Sequence, residues 1–452
     1  MLIEVNFAID KEIKMIYTPK SIKRTLKKCI NEICEHPEVF ARNPEKDFTR
    51  SRKLPFKQVL KSVLSMTGKS LRNELMEYFN LNLSMPTVSA FVQQRNKVNY
   101  RAFENLFHTF TNAVDEQVLF KGYRLLAVDG SDLHTPTNKD EKGSFYEGAN
   151  GQKPYNLFHL NAFYDLQRRV YTDAIVQGRR CVNEHKAFVT MVDRDNSSTP
   201  TIYIADRGYE SYNNMAHVIE KGQKFVIRVR DLGKHGLTSG MNLPQEDEFD
   251  ISVSLSLTRQ QTKQMKNSDL KFIAHTSQFD YLPQTSRKSI VMQPYYLSFR
   301  VVRFKLTKDT YEVLVTNLTD EEFSVPNLKE LYAMRWGIET SFRDLKYSIA
   351  LSYFHSKKTE NILQEIFARL TMYNFAELIT SHVVVKQKNR KHSYRINFAA
   401  AVHICRNFFL KNISPSDVEA LLLMHLLPVR LGSANPRRGS PRTAPSFTYR
   451  IP

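Results

Sequence analysis

Three acidic residues in this chain stand where a carboxylate can meet a cation or an anionic substrate's counter-ions. Asp129 closes the apolar run RLLAVD and is followed by Gly130. Asp206 closes TIYIAD and is followed by Arg207 and Gly208. A carboxylate at the C-terminal end of a buried strand faces the open edge of a sheet, where ligands bind; each of these also reads as an ordinary turn or cap residue. Asp132 competes with Asp129, but period-two alternation puts it on the opposite face. The third acid, Glu339, lies in LYAMRWGIETSFRDLK, residues 331–346, among Arg335, Arg343 and Lys346. At about 100° per residue a helix here aligns Tyr332, Arg335, Glu339, Arg343 and Lys346 in one stripe about 80° wide. Leu331, Met334, Ile338, Phe342 and Leu345 form an apolar stripe beside it. An exposed Glu–Arg pair four residues apart stabilises a helix by only ~0.3–0.5 kcal/mol. That accounts for one base, not for a third base and a tyrosine over two turns. The stripe suits a metal-binding carboxylate flanked by phosphate ligands. Trp336, the only tryptophan, reads as a packing residue on the other flank.

The surrounding sequence indicates what positions these groups. Residues 1–120 read as helices. Within them SMPTVSAFVQQRNKV suggests a helix with Ser84 as cap and Pro86 in its first turn. It reads either as the second helix of a helix-turn-helix, offering Thr87, Gln93, Gln94, Arg95 and Lys97, or as part of a plain bundle. From residue 124 three strands (RLLAVDGSDLH, LFHLNAFYDL, RVYTDAIVQG) precede a helix capped by Asn183, the strand of Asp206, a helix closed by Gly222, and the strand KFVIRVR. That order is mixed α/β. Residues 231–319 break it with a β-rich, half-exposed antiparallel stretch, in which Phe249, Ile251, Val253, Leu255 and Leu257 alternate. The charged helix follows, then a long helix over about 359–385. From Lys386 onward 12 Lys and Arg face only Asp417 and Glu419, and the Pro-, Ser- and Arg-rich end reads as extended when free.

Composition narrows the function classes. Over 452 residues, 65 Lys and Arg against 46 Asp and Glu give a net charge of +19. Such an excess points to a polyanionic partner, nucleic acid first. MTGKS at 66–70 lacks the phosphate-loop glycine, since Val63 occupies its position. Serine-hydrolase, zincin and dinucleotide-binding motifs are absent as well. Cys29 and Cys34 have no second ligand pair at zinc-finger spacing. No apolar run reaches the ~18 residues of a membrane span, and the first residues do not read as a signal peptide. The expectation is a cytoplasmic, nucleoid-associated protein with no membrane partner.

Tyr332-x2-Arg335-x3-Glu339-x6-Lys346 resembles the Tyr-Arg-Glu-Lys signature of bacterial insertion-sequence transposases of the insertion sequence 4 family. DGS at Asp129, DRGY at Asp206 and TNL at 316–318 resemble further motifs of that family. The resemblance implies an RNase H-like core, a mixed sheet with flanking helices, interrupted by the β-rich insertion and preceded by an all-helical N-terminal domain. The implied division is 1–120 helical and DNA-binding, 121–230 and 320–385 catalytic core, 231–319 insertion, and 386–452 a basic segment for DNA binding or dimerisation. Asp129, Asp206 and Glu339 become the catalytic, metal-binding triad for two Mg2+ ions, with Mn2+ as a substitute. Tyr332, Arg335 and Lys346 become DNA contacts; Arg343 and Arg207 join them by position. The implied partners are double-stranded DNA, as terminal inverted repeats and target, and a second copy in a synaptic homodimer. Members are expected to cut through a hairpin, with a base stacked on an aromatic residue of the insertion. This insertion has no Trp, leaving Tyr281, Tyr295 or Tyr296. The function implied is cut-and-paste DNA transposition; the alternatives are a catalytically silent DNA-binding relative and a nuclease of the same fold that does not join.

Overall fold

The computed structural model describes residues 17–50, 53–148, 151–232, 236–259, 270–282, 293–307, 310–386 and 392–429. Five helices come first: α1 (Pro19–Glu35), α2 (Phe56–Leu64), α3 (Leu71–Tyr78), α4 (Val88–Arg95) and α5 (Arg101–Ala113). Then come β1 (Arg124–Thr135), β2 (Phe145–Tyr146), β3 (Tyr155–Asp165), β4 (Val170–Gly178), α6 (Glu184–Arg194), β5 (Thr201–Ala205), α7 (Tyr212–Glu220) and β6 (Lys224–Val229). The β-rich stretch holds β7 (Phe249–Thr258), β8 (Leu270–Phe272), β9 (Tyr295–Thr307) and β10 (Thr310–Thr316). After it run α8 (Val325–Met334), α9 (Trp336–Tyr347), α10 (Thr359–His382), β11 (Tyr394–Ile396), α11 (Phe398–Leu410), α12 (Pro415–Met424) and β12 (Leu426–Pro428).

One mixed sheet dominates, in the order β2-β3-β1-β5-β6-β10-β9-β7-β8, with β4 also on β3. β1, β5 and β6 are parallel neighbours, and β1 and β3 are antiparallel. α6 begins where Asn183 accepts the Lys186 N–H at 2.8 Å, and the chain leaves α7 through Gly222 at φ 68°, a left-handed conformation that glycine adopts without strain. The faces of β1 alternate. Leu125, Ala127 and Leu133 belong to a core shared with α5, α9 and α10, whereas Leu126 and Val128 pack with Phe188 and Met215 of α6 and α7.

The β-rich stretch does not stand apart. β10 pairs antiparallel with β6, from Thr316↔Val226 to Val313↔Val229, and β9 and β7 continue the same sheet. β7 is half-exposed, as its alternation requires, but Val301, Val302, Leu314 and Val315 are buried. Consecutive apolar residues bury both faces of a strand, which only an interior place in a sheet satisfies.

Of the residues the helix-turn-helix reading would offer, Thr87 and Gln93 are exposed but two are corrected. The α4 helix starts later than expected, with Thr87 rather than Ser84 accepting a cap hydrogen bond, from Ala90 at 3.2 Å. Arg95 is 1% exposed and Gln94 is buried, so neither is offered to DNA. Arg95 instead reaches α10, with Nη1 3.0 Å from Glu365 and Nε 2.9 Å from Gln364. Glu365 also takes Arg369 at 3.1 Å and His355 Nδ1 at 3.0 Å. Burial alone raises a carboxyl's pKa, but His355, Arg95 and Arg369 outweigh it and hold Glu365 far below the usual range. Among the described residues no helix is long and apolar enough to cross a membrane. The expected extended end falls in 430–452, outside the described residues.

Candidate active site

β1 and β5 run parallel, and their last register pair is Val128↔Ala205. Asp129 and Asp206 are therefore the next residues on adjacent strands. Both continue the face of Ala127 and Ile204, which share one core with Ile338 and Phe342 of α9. That helix lies against β1. Its seating is specific: the Tyr171 hydroxyl and Ser341 Oγ are 2.8 Å apart, and a Cβ on Gly337 would stand 3.0 Å from Leu166. Glu339 is thereby carried to Asp129 and Asp206; β1 runs on to Thr135, so Asp129 does not close its strand as expected but stands mid-strand, where the pairing with β5 stops.

Arginines hold this centre together. Arg335 Nη2 is 2.8 Å from Glu339 Oε1 and 4.0 Å from Asp206 Oδ2. Asp206 Oδ1 also accepts the Arg207 N–H at 2.5 Å, and Arg228 Nη2 stands 2.6 Å from it. Burial works against ionisation of Asp206, but the Arg207 N–H, Arg335 and Arg228 prevail and keep its carboxyl below the ordinary range. Among the described residues Asp129 has as hydrogen-bond donor only the Gly130 N–H, at 2.8 Å. Burial pushes it up to about 6; Gly130 and Arg335 oppose the shift, and the charges of Glu339 and Asp206 add to it.

That shift gives a pH-dependent result. An unfolded Asp titrates near ~3.9, so the folded state binds this proton more tightly. Between pH ~4 and ~6 folding loses that advantage, and above it the metal-free protein carries a poorly compensated charge. Asp129→Asn is therefore expected to stabilise the metal-free protein at pH 7.5 by ~1–3 kcal/mol. The difference should vanish near pH 4. Denaturation in EDTA across this range checks it, and equal stabilities at pH 7.5 would contradict it.

The donors are hard oxygens on three neighbouring carboxylates, one of them raised chiefly by burial, and this chemistry fits a divalent cation. Among the described residues no group of three His, Cys, Asp or Glu side chains is already gathered around one point. Glu339 is turned to Arg335 instead, and that ion pair must loosen for all three acids to converge.

The remaining expected residues divide. The 331–346 stretch is two helical segments, joined at Arg335 by a tighter turn in which Arg335 N–H bonds Tyr332 C=O at 3.1 Å. Tyr332 and Arg335 are 3% and 1% exposed, with the Tyr332 hydroxyl and Arg335 Nε and Nη1 lacking hydrogen-bond partners. Arg343 and Arg207 are exposed and Lys346 is half-buried. The charged stripe thus has a buried half, facing the acids, and a solvent half. Trp336 is 44% exposed, not a packing residue; the Arg335 guanidinium lies 5.4 Å from its ring centroid. Asp132 lies on the opposite face, with His159 Nδ1 at 2.6 Å and Arg179 at 3.1 Å. Gly130 is needed for close approach, since a Cβ there would fall 2.2 Å from His159 Nε2. Tyr281 and Tyr295 pack on each other and on Phe279, and Tyr296 is exposed.

Two residues of the site escaped sequence reasoning. Arg228 sits on the core face of β6, beside Val226, and Glu312 of β10 stands 3.6 Å from it. A charge on the buried face of a central strand requires a partner, and that was the available signal in KFVIRVR.

A family model described as "Transposase DDE domain" matches residues 120–375. The chain belongs to this family. The match spans β1 through most of α10 and so contains all three acids. Curated relatives include the putative transposase InsL for insertion sequence element IS186A of Escherichia coli strain K12, 26% identical over 262 residues. The transposase for insertion sequence element IS421 of Escherichia coli is similar to the same degree. Each match covers 55% of this chain and 64% of the relative, so the chain spans just under two thirds of these family members. The resemblance to insertion-sequence transposases is thereby established. Among solved structures, the piggyBac transposase synaptic complex with hairpin DNA aligns over 93% of this chain and 88% of its own, at 12% identity and a TM-score of 0.44.

Proposed function

We propose that the chain is a cut-and-paste DNA transposase of the insertion sequence 4 group, acting as a homodimer on the terminal inverted repeats of its element. The observation that supports this best is the placement of Asp129 and Asp206 side by side where the parallel pairing of β1 and β5 stops, with α9 presenting Glu339 to the same face, inside the family's domain. Asp129, Asp206 and Glu339 would hold two divalent cations, Mg2+ by preference. Bound there, the ions would supply Lewis-acid activation of the attacking oxygen and charge neutralisation at the leaving oxygen.

The chain's own residues have distinct tasks. Water attacks first and a DNA 3′-hydroxyl later, and the carboxylates fix where that oxygen stands. Arg335 and Arg228 keep Asp206 ionised and aligned, and the buried Tyr332 ring lies against both guanidiniums, at 5.6 and 5.9 Å. Phosphates entering the site compete for these arginines and free the acids. Arg207, Arg343 and Lys346 meet the DNA backbone outside the buried half. Arg343→Ala and Lys346→Ala are each expected to reduce the slope of log affinity against log salt by about one. An unchanged slope in titrations on duplex ends would remove that residue from the contact set.

Incubating a supercoiled plasmid carrying the element with the purified protein and Mg2+ tests the whole reading. Excised and reinserted element supports it. Cleavage without joining would favour a nuclease, and binding without cleavage a silent relative.

A further inference from the structure

Beyond the acidic centre, the face of the sheet opposite α9 carries a stack of rings to which the reaction above gives no role. β2 lies on the outer edge of β3, with Tyr146 opposite Tyr155. Their rings stack at 5.2 Å between centroids, with planes 11° apart. The Arg180 guanidinium stands 5.0 Å from the Tyr146 ring centroid, and the His134 ring 6.0 Å from that of Tyr155. The register explains the grouping. His134 pairs with Leu157, and Tyr155, two residues along β3, shares its face. Asp132 and His159 share that face too, and Arg179 reaches Asp132 at 3.1 Å.

Stacked tyrosines also serve simply to pin a short edge strand, but that role leaves the cations unexplained. Arg180 is exposed and, among the described residues, forms no ion pair with a carboxylate; its charge lies on a ring face. Nδ1 of His134 is buried without a hydrogen-bond partner. Both tyrosines are only half-buried. Flat rings with guanidinium groups around them are the composition of a surface for unpaired nucleic acid, where bases stack and phosphates are neutralised.

We propose that Tyr146 and Tyr155, with Arg179, Arg180 and His134, form a platform for an unpaired stretch of DNA strand leading from the acidic centre. This rests on the DNA-processing reading above. A base stacks on the Tyr146 face that Arg180 now covers, and the displaced guanidinium meets the adjoining phosphate. His134 lies five residues beyond Asp129 along β1, ~17 Å at ~3.3 Å per residue, and on the opposite face, so the strand passes round the edge of the sheet to reach it. A few nucleotides cover that distance.

The test uses the full chain and a short oligodeoxythymidine carrying one 2-aminopurine, whose fluorescence falls when it stacks on an aromatic ring. Wild type is expected to quench it. Tyr146→Ala should lose the quenching and bind the single strand about tenfold more weakly. Tyr146→Phe and Tyr146→Trp should retain both, because the ring and not the hydroxyl is used. Arg180→Gln should weaken binding, and a duplex of equal length should bind Tyr146→Ala and wild type alike. Undiminished quenching in Tyr146→Ala overturns the platform. So does an equal loss of single-strand and duplex binding, which would mark general damage to the surface. Cleavage of element ends by wild type without quenching overturns the platform alone. Quenching without cleavage instead counts against the transposase reading and leaves the platform standing.

Discussion

Glu339→Gln is expected to lower Mg2+-dependent nicking at the element ends by ~10³-fold or more while leaving end binding within about twofold. The exchange is nearly isosteric. The amide oxygen can still accept from Arg335, so α9 and its buried apolar face keep their places. The negative charge that a third metal ligand needs is lost. Asp129→Asn and Asp206→Asn should do the same for the same reason. A gel assay on labelled ends, with binding measured in parallel, separates chemistry from recognition. Normal cutting by any one variant would remove that residue from the triad, and a parallel loss of binding would mean that it positions DNA instead.

Glu365→Ala has the second large expected effect, on stability. Glu365 is 1% exposed and holds Arg95, Arg369 and His355 together. Removing it leaves two buried guanidiniums without their counter-charge, which costs ~3–5 kcal/mol, whereas an intact pair contributes little net. The thermal midpoint should fall by roughly 3–5 °C. Scanning calorimetry checks this. A shift of only a degree or two would mean that the arginines find other partners or that water enters. Glu365→Gln should be milder, because its amide oxygen still accepts from Arg369.

Much of the centre was legible because strand alternation and helical periodicity are local rules. TIYIA ends as a strand just before Asp206, whereas RLLAVD runs on to Thr135 because β3 keeps pairing with it, and the face of each acid follows from its distance to the last core residue. The apolar half of the 331–346 stretch is buried as its spacing requires. What escaped was long-range. Arg95 was read as a surface base because nothing near it in sequence shows that Glu365, 270 residues later, will neutralise it. Arg228 was passed over for the same reason: its partner Asp206 belongs to a neighbouring strand. Trp336 was assigned to packing on residue type alone, yet it flanks the turn at Arg335 and faces outward. The β-rich stretch was judged from β7, whose alternation is its clearest signal, while the unbroken apolar runs of β9 and β10 carried the information that it continues the sheet.

The core shared by the first five helices and one face of the sheet bears on how this protein can be divided. α10 lies between the two parts. Ile366 and Leu370 are buried, and its interior charge is neutralised from α4. A fragment trimmed to residues 120–375 would cut α10 before its end and strip the helices that cover it. The acids would remain in sequence without a stable sheet edge to stand on. In modular terms the family's match ends inside a core that α1 through α5 share, so any recombined version is expected to need those helices alongside it.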